Sequence, residues 1–121
     1  MQRIFAALDR GFSLATALHA PGVEESFEVI CGHNGVPDEQ AGHLDLLVYI
    51  EVFRVQGGSI ARRVTRVYEI DGVEAGVPAA RLLHRHHVED DSFEVVEAPQ
   101  LLDAGLAQDA LLARFRAAVE A

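Results

Sequence analysis

Three closely spaced histidines are the clearest chemical signal in this chain. His84, His86 and His87 stand just before Glu89, Asp90 and Asp91. Imidazole with carboxylate is a donor set for a divalent metal such as zinc. In a strand, His84 and His86 would share a face, which suits two imidazole ligands. A structural zinc site wants four ligands, usually fixed by cysteines or further histidines. Only an acidic turn follows here, so a solvated strand end is the favoured reading. No metal or other cofactor is expected.

The remaining reactive groups are sparse. Cys31 is the only cysteine and lies in an apolar run with Phe27, Val29 and Ile30. It reads as a small core residue without an activating motif. Asp45 and Glu51 are six residues apart, about 20 Å along a strand, which is too far for acid–base work across one bond. No Ser-His-Asp or Cys-His order stands out. Arg54, Arg62, Arg63 and Arg66 cluster and could meet an acidic partner or a phosphate. Strand alternation would place Arg62 and Arg66 on one face and Arg63 on the other, splitting the patch.

Composition narrows the partners. The 121 residues fit one domain, taken as 1–121, and half of them are hydrophobic. Ten basic against nineteen acidic residues give a net charge of −9. Such a surface repels nucleic acid and anionic lipid. No apolar run reaches membrane-spanning length, so membrane insertion is not expected. The first ten residues lack the basic-then-apolar order of a signal peptide. A lone cysteine suits a reducing compartment, and a cytoplasmic location is expected.

The elements that must position these residues follow from periodicity. Residues 2–9 place Ile4, Phe5 and Leu8 on one helical face, and Gly11 stops the helix. Residues 12–20 (FSLATALHA) read as a short buried strand. Residues 23–31 carry Val23, Phe27, Ile30 and Cys31 at helical spacing, with Glu24 and Glu25 in the first turn. Asp38 looks like the N-cap of a short helix toward His43. Residues 44–55 and 60–70 flank Gln56-Gly57-Gly58-Ser59 and predict an antiparallel hairpin. Residues 73–78 read as loop, 79–88 as a strand at least in their later part, 89–92 as a turn and 93–97 as a short strand. One or two helical turns are expected at 99–104. A closing helix at 108–120 has Leu111, Leu112, Phe115 and Val119 as its apolar stripe.

The order of these pieces resembles the C-terminal part of the motor ATPases of type II and type IV secretion and of type IV pili. Residues 11–20, GFSLATALHA, resemble that family's glycine, small-apolar strand and Thr-x-His-Ala stretch. A glutamate-containing helix follows, then the turn Gly35-Val36-Pro37. Next comes a strand opening on Leu44-Asp45, and a partner strand (RRVTRVYEI, 62–70) similar to the family's Arg-Arg-Val-Thr pattern. The resemblance covers nearly the whole chain and lies in the order of individually weak motifs.

The resemblance implies an α/β domain with a mixed sheet, an antiparallel hairpin and flanking helices, like the C-terminal part of a RecA-like core. It places His19 where the family holds a histidine near the terminal phosphate of ATP. The family's phosphate loop, Gly-x-x-x-x-Gly-Lys-Ser/Thr, is absent, and the sequence contains no lysine. Such a loop cradles phosphates with backbone N–H groups and a lysine. Without it, His19 has no phosphate to sense, and the chain is not expected to be an ATPase on its own. In the family the histidine strand pairs with strands that this sequence does not contain, so an open edge is expected to recruit a partner. The functional expectation is a non-catalytic interaction or assembly module, through self-association or docking on a P-loop ATPase subunit. The alternatives are a subunit that completes the nucleotide site of a P-loop-bearing partner and, third, a metal-binding module.

Overall fold

The structure, a computed structural model, describes residues 1–55 and 57–100. The closing helix expected at 108–120 lies outside them, as do all but the first two residues of the helical turns expected at 99–104.

Helix α1 spans Gln2–Leu8 and buries Phe5. It matches the helix expected from its apolar spacing. Helix α2, Val23–Phe27, runs on into a π-helical turn, Glu28–His33. This turn is closed by Asn34, whose backbone N–H (3.1 Å) and side-chain amide (2.7 Å) both donate to the Val29 carbonyl. Helix α3 is one turn, Asp38–Ala41, preceded by Pro37 as its cap residue. Asp38 is therefore the first helical residue and not the N-cap. Its carboxylate accepts the N–H groups of Ala75 (2.8 Å) and Gly76 (2.9 Å) instead, tying α3 to a distant turn.

Strands β1 (Leu46–Arg54), β2 (Ile60–Glu74), β3 (Val77–His87) and β4 (Ser92–Val95) form one sheet in the order β1-β2-β3-β4. All three pairings are antiparallel. The expected hairpin is present as β1 and β2. The mixed sheet is not: among the described residues no parallel pair occurs. The reason lies at residues 12–20, which form no strand. Their backbone makes no backbone hydrogen bond beyond that of Phe12 to Ala7, among the described residues, and Phe12 is exposed.

The loop expected at 73–78 is also strand. β2 continues to Glu74, and β3 begins at Val77 after the two-residue turn Ala75-Gly76. Both turn residues have positive φ, 51° and 76°. That is the backbone twist a tight hairpin requires. Ala at the first position hides this turn from sequence reasoning, which looks for Asn-Gly or Asp-Gly.

Thr65, Asp71 and Leu83 are each an extra residue in their ladders, so the registers shift there. Each bulge increases the local twist. The helices pack on the face of β1 and β2 that carries Leu47, Tyr49 and Ile70. Phe5, Phe27, Ile30, Val36, Ala41 and Ile70 form the buried core.

Candidate functional site

A concavity lies between residues 14–20 and the outer edge of β1. It is an open cleft of about 870 Å³, walled by residues 14–20 on one side and 46–50 on the other, over Ile4, Phe5, Ser26 and Ile30. That volume falls in the range of ligand-binding clefts, about 300–1,000 Å³. Its lining is mainly aliphatic, with Thr16, His19, Ser26, Asn34 and Tyr49 as the polar members.

Among the described residues, sheet order leaves β1 as an edge strand. The Ile70 N–H donates to the Asp45 carbonyl at 2.9 Å. In an antiparallel pair, successive residues turn their backbone groups alternately toward and away from the partner strand. Leu46 and Val48 therefore present theirs away from β2, toward the cleft. A row of such groups is a template for another strand.

Two contacts hold the walls. The Ser26 hydroxyl donates its one hydrogen to the Gly22 carbonyl (2.8 Å), so the Tyr49 hydroxyl is the donor in the 2.8 Å bond between them. Burial pushes the Tyr49 phenol up, and the Ser26 hydroxyl acts against that. Arg66 lies over the Tyr49 ring, 4.6 Å from its centre. It also donates to the Pro21 carbonyl (2.9 Å) and to Glu51 (3.3 Å). Residues 12–20 are thus anchored at α1 and at Pro21 and, among the described residues, unpaired between. Sequence reasoning missed Tyr49, Ser26 and Arg66 as a group. Tyr49 reads as one more apolar strand residue, and nothing local ties it to a serine 23 positions earlier.

His19 is exposed and lines this cleft. The three downstream histidines are not brought to it, nor to each other. His84 is exposed. His87 bonds Glu94 at 3.2 Å, which also takes Arg85 at 2.6 Å. His86 is fully buried between the rings of Phe53 and Phe93, each centred 5.0 Å away. Its Nε2 lies 2.7 Å from Asp91, and its buried Nδ1 has no partner among the described residues. Among the described residues no group of three His, Cys, Asp or Glu side chains is arranged to hold a metal ion.

The arginines are distributed differently from the expectation. Arg63 stands opposite Glu51 and Arg66 opposite Tyr49, both on the helix-side face, while Arg62 stands opposite Val52 on the other. Thr65 is the cause, because one inserted residue reverses the alternation beyond it. Arg63 forms a two-pronged pair with Asp91, at 3.0 and 2.9 Å. Cys31 is partly buried, and that burial, followed by the nearby Asp38, pushes its thiol up and away from reactivity. Asp45 and Glu51 do not form a pair; Glu51 is taken by Arg66.

Arg63 and, second, His86 hold the Asp91 carboxyl down at about 2, from an ordinary value of 3.8. A carboxyl lowered in the folded state adds stability above its unfolded pKa and loses it as pH falls through the folded one. Thermal stability should therefore drop between about pH 4 and pH 2, and Asp91→Asn should flatten that part of the curve. Melting curves across the range test this; parallel slopes for the two proteins would reject it.

No family model matches this sequence, and no curated protein matches it. No helix among the described residues is long and apolar enough to cross a membrane.

Proposed function

We propose that the chain is a non-catalytic interaction module, resembling the C-terminal region of secretion and pilus motor ATPases with their RecA-like core. It takes an extended strand from a partner into the cleft beside β1. The observation that carries this reading is the pairing-free stretch at 12–20 standing across a cleft from an open strand edge. An added strand would satisfy backbone groups on both walls, and the aliphatic lining would cover its side chains. The partner is a P-loop-bearing ATPase subunit or a second copy of this chain. The absence of lysine and of a phosphate loop supports a role without ATP turnover of its own.

The second reading, a subunit that completes a partner's nucleotide site, is favoured by one observation. His19 lines the same cleft. His19→Ala would then lower ATP turnover of the reconstituted complex while leaving assembly intact. Unchanged turnover removes that reading.

Val48→Pro tests the module. It deletes an N–H that faces the cleft, and proline is tolerated on edge strands. The variant should keep its fold and lose partner binding or self-association by about tenfold or more. Sedimentation at micromolar concentration and capture of a P-loop subunit from the source lysate read the two arms. A protein that is monomeric throughout and captures no such subunit would sink the proposal.

A further inference from the structure

The sheet face turned away from the helices is apolar and, among the described residues, open. Along β1, Leu46, Val48, Ile50 and Val52 are 44%, 52%, 64% and 57% exposed. Val67 stands opposite Val48 and Val64 opposite Ile50, so the stripe widens onto β2. An antiparallel strand with one wet face alternates apolar and polar residues, whereas a strand covered on both faces reads as a continuous apolar run. β1 reads LLVYIEVFR, the second kind. Its composition calls for a cover on this face.

The two ends of the stripe differ in charge. At one end Glu69 stands opposite Leu46, and Arg81 opposite Glu69. Arg81 gathers Glu69 and Asp71 at 2.7 Å and Glu97 at 3.0 Å, three carboxylates on one guanidinium. That end keeps an acidic surplus. At the other end Arg62 stands opposite Val52, and strand alternation puts Arg54 on the same face as Val52. Both arginines are exposed. The patch is basic at one end, apolar along its length and acidic at the other end.

Such a patch is complementary to itself. Consider a two-fold axis in the plane of the sheet, across the strands and midway between Leu46 and Val52. It turns a second copy face to face with the first. Val52 and Arg62 of each copy then lie over Leu46 and the acidic end of the other, and Val64 lies over Val67. One patch serving both partners is the isologous contact of a two-fold dimer. Opposite potentials at its ends fix the register. The chain as a whole carries a charge of −9, so two copies repel in most other orientations. We propose that two copies of this chain pack these faces together, as two aligned sheets about 10 Å apart. The face measures about 26 by 14 Å, which is small for a stable interface, so the dimer is weak and depends on concentration. This surface is distinct from the cleft, and its occupant does not depend on what the cleft binds.

The test uses the full-length chain with labelled isoleucine, leucine and valine methyl groups, mixed with unlabelled chain. A filtered measurement at hundreds of micromolar should show through-space contacts between molecules from the methyls of Val64 and Val67. Both residues lie on β2, out of reach of a strand paired along the edge of β1, so failure here and failure at the cleft are distinguishable. Arg54→Glu with Arg62→Glu makes both ends acidic. It should weaken dimerisation by about tenfold or more and leave the Ile30 methyl in place. High salt should recover part of the loss, because it screens like charges. No contact between molecules from Val64 or Val67 overturns the proposal. So do contacts to them only from within one molecule, and an unchanged dimerisation constant in the charge-reversed variant.

Discussion

Phe27→Ala should lower the unfolding free energy by about 3–5 kcal/mol, the cost of deleting a fully buried aromatic ring. Phe27 is 0% exposed and is the last residue of α2, packed against the core that Phe5, Ile30 and Ile70 complete. Domains of this size are stable by only about 5–15 kcal/mol, so a large share of the total rests on one side chain. The melting temperature should fall by on the order of 15–30 °C. Urea unfolding at constant slope is the direct measurement. A loss below about 1 kcal/mol would mean that α2 does not pack on the sheet as described.

Arg81→Met should rank above every other single charge removal in its effect on melting temperature. Arg81 holds three carboxylates, Glu69 and Asp71 at 2.7 Å and Glu97 at 3.0 Å. Glu69 is the critical partner, because its side chain is only 5% exposed. Removing one member of a buried pair leaves the other charge desolvated and uncompensated. Replacing both members by apolar residues of similar size removes that penalty. Arg81→Met should therefore destabilise strongly, and Arg81→Met with Glu69→Leu should recover much of the loss. Arg63→Ala, whose partner Asp91 is 39% exposed, provides the comparison. Equal melting points for the Arg81 and Arg63 variants would contradict the argument. The double variant also loosens Gln100, so its recovery is expected to be incomplete.

The sequence made the repetitive parts of the fold legible. Ile4, Phe5 and Leu8 mark α1, Val23, Phe27 and Ile30 mark α2 with the π-helical turn that continues it, and the β-branched runs around Gly57-Gly58 mark the first hairpin. Each of these signals is local and periodic. The errors arise where one residue changes a conformation or a phase. Residues 12–20 have strand composition but pair with no neighbour among the described residues, and pairing is what makes a strand. Ala75 adopts positive φ because a hairpin demands it, and composition alone gives no hint of that. The arginine faces depart from simple alternation because a bulge leaves no mark on a hydrophobicity pattern.

The candidate site was less legible than the fold. His19 could be singled out, and it does line the cleft. The cleft itself could not be read, since it is built from a missing pairing and from side chains far apart in the chain. The histidine cluster misleads for a related reason. Adjacency in sequence brings His84, His86 and His87 onto one strand, but each is engaged differently. His86 behaves as an aromatic core residue with one charged neighbour.

Thr65 has a consequence for how this chain can change over generations. Most single-codon insertions or deletions in a protein of this kind are absorbed by turns, where length is free. At Thr65 the extra residue is held in a bulge, so that Val64 stays opposite Ile50 and Arg66 opposite Tyr49 on either side of it. Losing it would close the ladder into regular pairing and leave every later residue of β2 on its present face. A further residue gained beside it, with no second bulge to take it up, would carry Val67 and Glu69 into the helix-packed interior and Tyr68 and Ile70 out of it. A lineage could therefore drop the position at the cost of local twist, but it could not lengthen the strand there without inverting the sheet.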